Sequence, residues 1–311
     1  MQRGTWSKVV AIASRHEAKG RAVAHDLGIG KAYGSYEELL ADPEVDAIYN
    51  PLPNHLHVPW TIRAAEAGKH VLCEKPIALD AAGAQQLISV RDRTGVLIQE
   101  AFMVRSHPQW VAARALVRSG RIGDLRLVAG FFSYYNDDPA NIRNVPGYGG
   151  GGLMDIGCYL VHVSRMLFER EPVGVAALID RDPAMQVDRL TSMVLDYDGA
   201  QAIGTCSTQL VPFQRVQLLG TRGRIEIPIP FNAPPDQPTR LFLDDGSDPG
   251  GGGIEAQEFE TCDQYTLQGD LLSRAILDGN PAPYPLEDSV LNMRVIDALV
   301  RAAAARAWEH P

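Results

Sequence analysis

Lys8-Val-Val-Ala-Ile-Ala-Ser14 is followed by Arg15-His16 and then by Glu17-Ala-Lys-Gly-Arg-Ala-Val-Ala-His-Asp-Leu27, which Gly28 stops. The first run is β-branched and almost wholly apolar, which marks a strand buried on both faces of a parallel sheet. The second has the length and the glycine stop of a helix. The same unit repeats onward. Lys31 to Tyr33 is a short extended piece, and Ser35-Tyr-Glu-Glu38 makes a capping box for a helix ending near Asp42-Pro43. Asp46 to Asn50 is a strand ended by Pro51 and Pro53. A helix follows from about His55 to Ala67, then a strand from His70 to Cys73. Asp80 caps a helix to about Thr94, and Val96 to Gln99 is the next strand. Strict alternation implies βαβ units, so residues 1–103 read as an α/β, Rossmann-like, doubly wound parallel sheet. Ligands of such sheets bind outside the carboxyl ends of the strands. The chemistry is therefore expected at Ser14-Arg15, Asn50 to Asn54, Cys73 to Pro76 and Glu100 to Arg105.

After a helix near Pro108 to Val117 the pattern changes. Longer alternating segments follow at Leu125 to Tyr135, Val173 to Asp180, Thr191 to Tyr197, Ala200 to Leu210, Arg215 to Leu219 and Arg224 to Ile227. A helix from about Leu153 to Phe168 interrupts them. Pro228 to Pro238 and Asp244 to Gly253 read as loops, and Gln264 to Asp278 and Glu287 to Trp308 as closing helices. Residues 104–311 are expected to form an α+β domain with a large, mostly antiparallel sheet, for substrate binding and oligomerisation.

The 311 residues suffice for two domains, with 45% hydrophobic and 22% charged residues and a formal net charge of -9. That charge argues against a nucleic-acid partner. Cys73, Cys158, Cys206 and Cys262 are scattered, which argues against zinc and a disulfide framework. With no signal peptide and no apolar run of membrane length, a soluble, cytoplasmic chain is expected.

A dinucleotide fold should open with a strand and G-x-G-x-x-G. Gly28-Ile-Gly30 follows a helix, and Tyr33 stands where a third glycine belongs, so it is rejected. Gly149 to Gly152 falls in the second domain and reads as a close-approach loop beside the substrate. Met1 to Trp6 reads as the tail of a helix entering the Lys8 strand. The first strand and the Gly-rich loop are then expected upstream of Met1. Without that central strand, either the Lys8 strand pairs with the Asp46 strand or the first domain is loose.

Ser14 and Arg15 end a strand where an acid would suit the ribose of NAD. Ser plus Arg suits a 2′-phosphate, although a solvated arginine before a helix has the same spelling. Glu74-Lys75-Pro76 puts an ammonium on the ligand face, and proline after it admits a cis bond; a surface loop is the plainer reading. Asp155 and Tyr159 are spaced i, i+4, so both can face one pocket. A nearby ammonium would bring the phenol towards a useful pKa. The plainer alternative is an acid at a helix start and a packed tyrosine. His162 reads as a half-buried or surface histidine rather than a metal ligand, and no metal site is expected.

Together, Val9 to Arg15, Pro51-Leu-Pro-Asn-His-Leu-His57, Glu74-Lys-Pro76, Glu100-Ala-Phe-Met103 with Arg105 and His107-Pro108, and Gly150-Gly-Gly-Leu-Met-Asp-Ile-Gly-Cys-Tyr159 resemble the Gfo/Idh/MocA oxidoreductases, in order and along essentially the whole chain. Within that family the chain looks closest to the branch of glucose–fructose oxidoreductase, NADP-dependent xylose dehydrogenases and dimeric trans-dihydrodiol dehydrogenases. The resemblance implies NADP in preference to NAD, and a sugar, polyol or diol substrate. It implies Tyr159 as acid and base, and Lys75 holding the reacting oxygen and depressing the Tyr159 pKa. Asp155 would orient hydroxyls, with Arg105, Asn141 and Arg143 as pocket wall. Ser14 and Arg15 would hold the 2′-phosphate, and Pro51, Leu52, Asn54, His57, Glu74, Lys75 and Pro76 would line the cofactor groove. It also implies a homodimer or homotetramer. Asn50 stands where the family usually has a small or apolar residue, at the expected nicotinamide edge. A competing reading is an inactive binding or scaffold protein that lost its cofactor with the Gly-rich loop.

Overall fold

A computed structural model of the chain describes residues 2–248 and 250–311. β1 (Ala11–Ala13) and β2 (Lys31–Tyr33) pair in parallel, with α1 (Glu17–Leu27) between them. α2 (Tyr36–Ala41) leads to β3 (Ala47–Asn50), α3 (His57–Glu66), β4 (His70–Glu74), α4 (Ala81–Thr94) and β5 (Ile98–Ala101). The last three strands form a second parallel sheet in the order β3-β4-β5. Local chemistry sets the helix ends as expected. Gly28 closes α1 in the left-handed region, and Asp80 accepts the Gly83 N–H. Ser35 accepts the Glu38 N–H, while the Glu38 carboxylate takes the Gly34 N–H.

The two sheets are the flanks of the doubly wound order 3-2-1-4-5-6. Among the described residues no strand stands between β1 and β3, and these two do not pair. The expected closure of the Lys8 strand onto the Asp46 strand therefore does not occur. β1 is only half-buried, where burial on both faces was expected, and Ala47 and Tyr49 of β3 are exposed. Residues 2–6 form turns instead of a helix tail, because the Asp270 carboxylate takes the Thr5 and Trp6 N–H groups. Met1 and Pro249, part of the expected N-terminal tail and of the Asp244 loop, lie outside the described residues.

α5 (Pro108–Arg118) leads into β6 (Leu125–Tyr135), then α6 (Cys158–Phe168), β7 (Gly174–Arg181), β8 (Asp188–Asp196) and β9 (Gln201–Ser207). β10 (Gln209–Gly220), β11 (Arg224–Ile227), β12 (Thr239–Asp244) and β13 (Ile254–Phe259) complete an eight-stranded sheet. Its order is β13-β12-β11-β10-β6-β9-β8-β7, antiparallel except for β6 beside β9. The sequence reading missed β12 and β13. β13 is an edge strand exposed along almost its whole length, so it carries no apolar alternation. α7 (Gln264–Leu277) and α8 (Leu286–Ala305) end the fold. α8 returns to the first unit, where Asp297 accepts the Ala81 N–H and Glu287 pairs with Arg91. No helix of the described residues is long and apolar enough to cross a membrane.

α6 is seated on the sheet through Leu160. Gly130 of β6 and Gly204 of β9 are register partners, and both face that leucine. A Cβ at Gly130 would lie 2.4 Å from Leu160 Cδ2, and one at Gly204 would lie 2.9 Å from Cδ1. The missing side chains make a dent that fixes the helix one residue away from Tyr159. Gly130→Ala should therefore lower stability by about 1–3 kcal/mol through overpacking. The loss should be smaller when Leu160→Ala is added than the two single losses predict. Urea unfolding of the three variants checks this; additive losses would mean the dent is not what seats α6.

Candidate active site

A cavity of about 480 Å³ lies between the two units, within the roughly 300–1,000 Å³ of small-molecule sites. From the first unit it takes Pro51, Leu52, Asn54, Glu74 and Lys75, at the carboxyl ends of β3 and β4. From the second it takes Tyr134, Arg143, Gly149, Asp155 and Tyr159.

Lys75 follows the last residue of β4, and its peptide bond to Pro76 is cis. Its ammonium crosses the cavity and donates to the Asp155 carbonyl, and it lies 3.3 Å from Asp155 Oδ1. Asp155 Oδ1 also meets Arg143 Nε at 3.1 Å, and Oδ2 accepts the Tyr134 hydroxyl at 2.6 Å. Burial opposes the charge on both Lys75 and Asp155. Their mutual attraction outweighs it, with Arg143 helping, so Lys75 is held above its ordinary value and Asp155 below.

Tyr159 is 4% exposed. The Lys75 ammonium sits 4.9 Å from its ring centroid, and its hydroxyl donates to Met103 Sδ at 3.1 Å. Burial pushes the phenol well up, and Glu74, Cys158, Tyr265 and Asp155 add to the effect. The expected depression by Lys75 is thus absent here. Burial is the dominant cause, and the charge of the ammonium is committed to Asp155.

The segment bearing Asp155 begins as a π-helical turn, Leu153–Gly157, before α6. Asp188 of β8 anchors it. Its carboxylate accepts the Leu153 N–H at 2.6 Å and the Thr191 hydroxyl at 3.1 Å. Gly151 has φ +113, and a Cβ there would lie 1.9 Å from Asp188 Oδ1, so this position needs glycine. Gly149 and Gly150 border the cavity, in keeping with a close-approach loop. Asn54 reaches across to donate to the Gly149 carbonyl at 2.9 Å, and His55 stacks on Tyr148.

Several expected residues stand elsewhere. Arg105 pairs with Asp288 at 2.6 Å and lies over the Tyr284 ring, which removes it from the pocket wall. Asn141 caps the turn carrying Arg143 by accepting its N–H, and does not line the cavity. Asn50 is 3% exposed and turns inward, accepting the Leu52 N–H and donating to the His57 carbonyl; it shapes the groove from behind. His57 is 1% exposed. It does border the cavity, with its ring nitrogens turned to the Leu52 carbonyl at 2.6 Å and the Pro76 carbonyl at 2.7 Å; burial lowers its pKa, and the neutral ring donates to one of the two carbonyls. Pro76 lies behind Lys75, outside the lining. His162 is buried rather than at the surface, stacked on Phe102, and burial pushes its ring well down. Ser14 and Arg15 end β1 away from the cavity lining; Arg15 is exposed and the Ser14 hydroxyl accepts the His16 N–H.

Sequence reasoning missed Tyr49, Tyr134, Asn232 and Tyr265 in the lining. Tyr134 had a signal. It lies two residues beyond Phe132 in an alternating strand, so both fall on the face of buried Val128. Tyr49 donates to the Glu74 carboxylate, whose pKa burial raises. For a nicotinamide and its ribose the lining fits: the first unit supplies the apolar Pro51-Leu52 turn, the Asn54 amide, Glu74 and the Lys75 ammonium, and the second the Tyr134 and Tyr159 hydroxyls. Among the described residues no Gly-rich turn joins a strand to a helix as a pyrophosphate cradle.

Residues 1–102 match the oxidoreductase family model with an NAD-binding Rossmann fold, and residues 110–226 match the GFO/IDH/MocA C-terminal domain. The chain is 50% identical over 303 residues to an uncharacterized oxidoreductase of Rhizobium meliloti, covering 97% of this chain and 91% of that one. It is 39% identical over 301 residues to D-xylose 1-dehydrogenase (NADP(+)) 2 of Haloferax volcanii, covering 95% and 90%. Aldose-aldose oxidoreductase from Caulobacter crescentus, solved with glycerol, superposes with a TM-score of 0.88 at 30% identity, covering 98% and 92%. A 3-ketoreductase from Actinomadura kijaniata, solved with NADP and TDP-benzene, gives 0.87 at 28%, covering 94% and 89%.

The Asp188 anchor makes the site sensitive to pH. Burial raises its carboxyl from 3.8 to about 6 in the folded chain, and the Leu153 N–H and Thr191 hydroxyl only partly offset this. The folded state therefore binds the proton more tightly than the unfolded one. The associated stability is full below about pH 4 and is lost as pH rises through 6. Asp188→Asn cannot titrate. Its stability relative to the parent should rise over that window, by up to about 3 kcal/mol at 1.36 kcal/mol per pKa unit. Denaturant midpoints at pH 4 and pH 7 measure it; a pH-independent difference would refute the shift.

Proposed function

The chain belongs to the Gfo/Idh/MocA oxidoreductase family, and on that premise we propose that it transfers hydride between NADP(H) and the carbinol carbon of a sugar or a trans-dihydrodiol. One observation carries the reading. Lys75 and Tyr159, from different units, lie on one buried cavity with Asp155 between its cationic and hydroxylic partners.

Bound nicotinamide supplies or accepts the hydride. Tyr159 moves the proton: its hydroxyl donates to the substrate oxygen in reduction and its oxygen takes the proton back in oxidation. A phenol held neutral by burial is ready for the first of these. The Lys75 ammonium holds the reacting oxygen. Asp155, Arg143 and Tyr134 orient neighbouring hydroxyls. The Pro51-Leu52 turn, Asn54 and Glu74 would border the nicotinamide, and Ser14 and Arg15 would hold the 2′-phosphate, which favours NADP over NAD.

The same reading makes the protein a cytoplasmic homo-oligomer. Its four cysteines are free, which suits a reducing compartment. The outer face of the large sheet exposes Phe131, Leu178 and Ile203 around a shallow apolar hollow, which suits a dimer interface.

With D-xylose, D-glucose and a trans-dihydrodiol as substrates, Lys75→Met and Tyr159→Phe should each lower NADP-linked turnover by about 10²–10⁴-fold. The double variant should be little worse than either, since both act on one oxygen. Near-normal turnover in Tyr159→Phe would end this assignment and turn attention to His162. Separately, Arg15→Ala should weaken NADP much more than NAD, as read by NADPH and NADH fluorescence titration. Equal losses for the two cofactors would remove Ser14 and Arg15 from the 2′-phosphate site.

A further inference from the structure

The turn that presents Lys75 is held from below by a residue outside the cavity. Glu100 lies in β5, opposite Cys73 of β4, and is 6% exposed. Its Oε1 accepts the Ile77 N–H at 2.8 Å. Burial raises that carboxyl to about 7, and Ser289 of α8, beside it, partly offsets the rise. Ile77 has left the β4 ladder, so its N–H has no strand partner and a buried N–H must be paired. A neutral acceptor would satisfy it. Burying a carboxylate for the purpose is costly, and the return is a stronger, directional bond.

The other end of the same peptide group is also held. The Pro76 carbonyl faces His57 Nδ1 at 2.7 Å. The plane between Pro76 and Ile77 is thus held at its hydrogen from β5 and, in the Nδ1–H tautomer of His57, at its oxygen from α3. Proline fixes its own φ. Little backbone freedom remains at Lys75, whose side chain must span the cavity to reach Asp155.

We propose that Glu100 is a positioning residue for Lys75, holding the Ile77 N–H so that the ammonium stays on Asp155 and over the Tyr159 ring. Glu100 touches no substrate; it acts through the turn. The inference rests on Lys75 being the working ammonium of the proposed reaction, but its test requires neither cofactor nor substrate.

Trace acetylation with acetic anhydride, read by peptide mass spectrometry, reports how firmly each lysine amine is held. Glu100→Gln keeps an acceptor for Ile77, whereas Glu100→Met keeps the volume and removes the acceptor. Labelling of Lys75 should rise roughly five- to tenfold in Glu100→Met, about the worth of one net hydrogen bond. It should stay within about twofold of the parent in Glu100→Gln, as for a mild substitution. Lys31 and Lys69 hydrogen-bond to Asp42, far from this turn, and serve as internal controls. Both should label equally in all three proteins. Unchanged Lys75 labelling in Glu100→Met would overturn the proposal. So would equal labelling in the two variants, or a parallel rise at Lys31 and Lys69, which would signify general loosening. A parent inactive on every sugar tested would sink the functional reading while leaving a Gln-versus-Met contrast at Lys75 intact.

Discussion

The Lys75 ammonium crosses from one unit to a carbonyl and a carboxylate of the other, at Asp155, and the rest of the site is arranged around that span. Both groups are largely removed from water, with side chains 13% and 14% exposed. Burying either alone would be severely unfavourable, so each requires the other in place. Their separation fixes the width of the cavity. It also explains why Asp155 collects the Arg143 guanidinium and the Tyr134 hydroxyl: one carboxylate has lone pairs enough for all three.

Keeping the span in register requires rigid supports on both sides. On the first unit, the cis turn after Lys75 is clamped between His57 and Glu100. On the second, Asp188 grips the start of the Asp155 segment, and Leu160 locks α6 into the dent left by Gly130 and Gly204. α8 closes the arrangement by bonding back to α4. His57, Glu100, Asp188 and Leu160 are buried, while the Glu287–Arg91 pair lies nearer the surface. Apart from His57, none of these supports lines the cavity, yet a shift in any of them displaces a side chain that does.

The electrostatics divide labour between the two protic groups. Lys75 is charged because Asp155 compensates it. Tyr159 is neutral because its hydroxyl faces a thioether inside an apolar shell of Phe102, Phe132 and Phe231. A phenol so placed keeps its proton. The 4.9 Å between ammonium and ring centroid leaves both groups facing the same space from adjacent sides.

The alternation of strand and helix through Gln99, the capping residues at Ser35 and Asp80, and the glycine at the end of α1 follow from local chemistry, and so were legible in the sequence. Asp155 and Tyr159 were legible as neighbours from their i, i+4 spacing, and Lys75 joined them through the family resemblance. Tertiary structure decided which partner each charge found. Arg105 and Arg143 read alike as pocket cations, and only the approach of α8 put Asp288 under the first and left the second at the cavity. His57 read as groove lining and does border the cavity, whereas Asn50, expected at the nicotinamide edge, turns inward to the His57 carbonyl and the Leu52 N–H. The direction of the Tyr159 shift likewise depended on how deeply the tertiary packing buries the phenol. Hydrogen bonding and Coulomb attraction act over a few ångströms between residues more than a hundred positions apart in some pairs, and no local pattern encodes those distances.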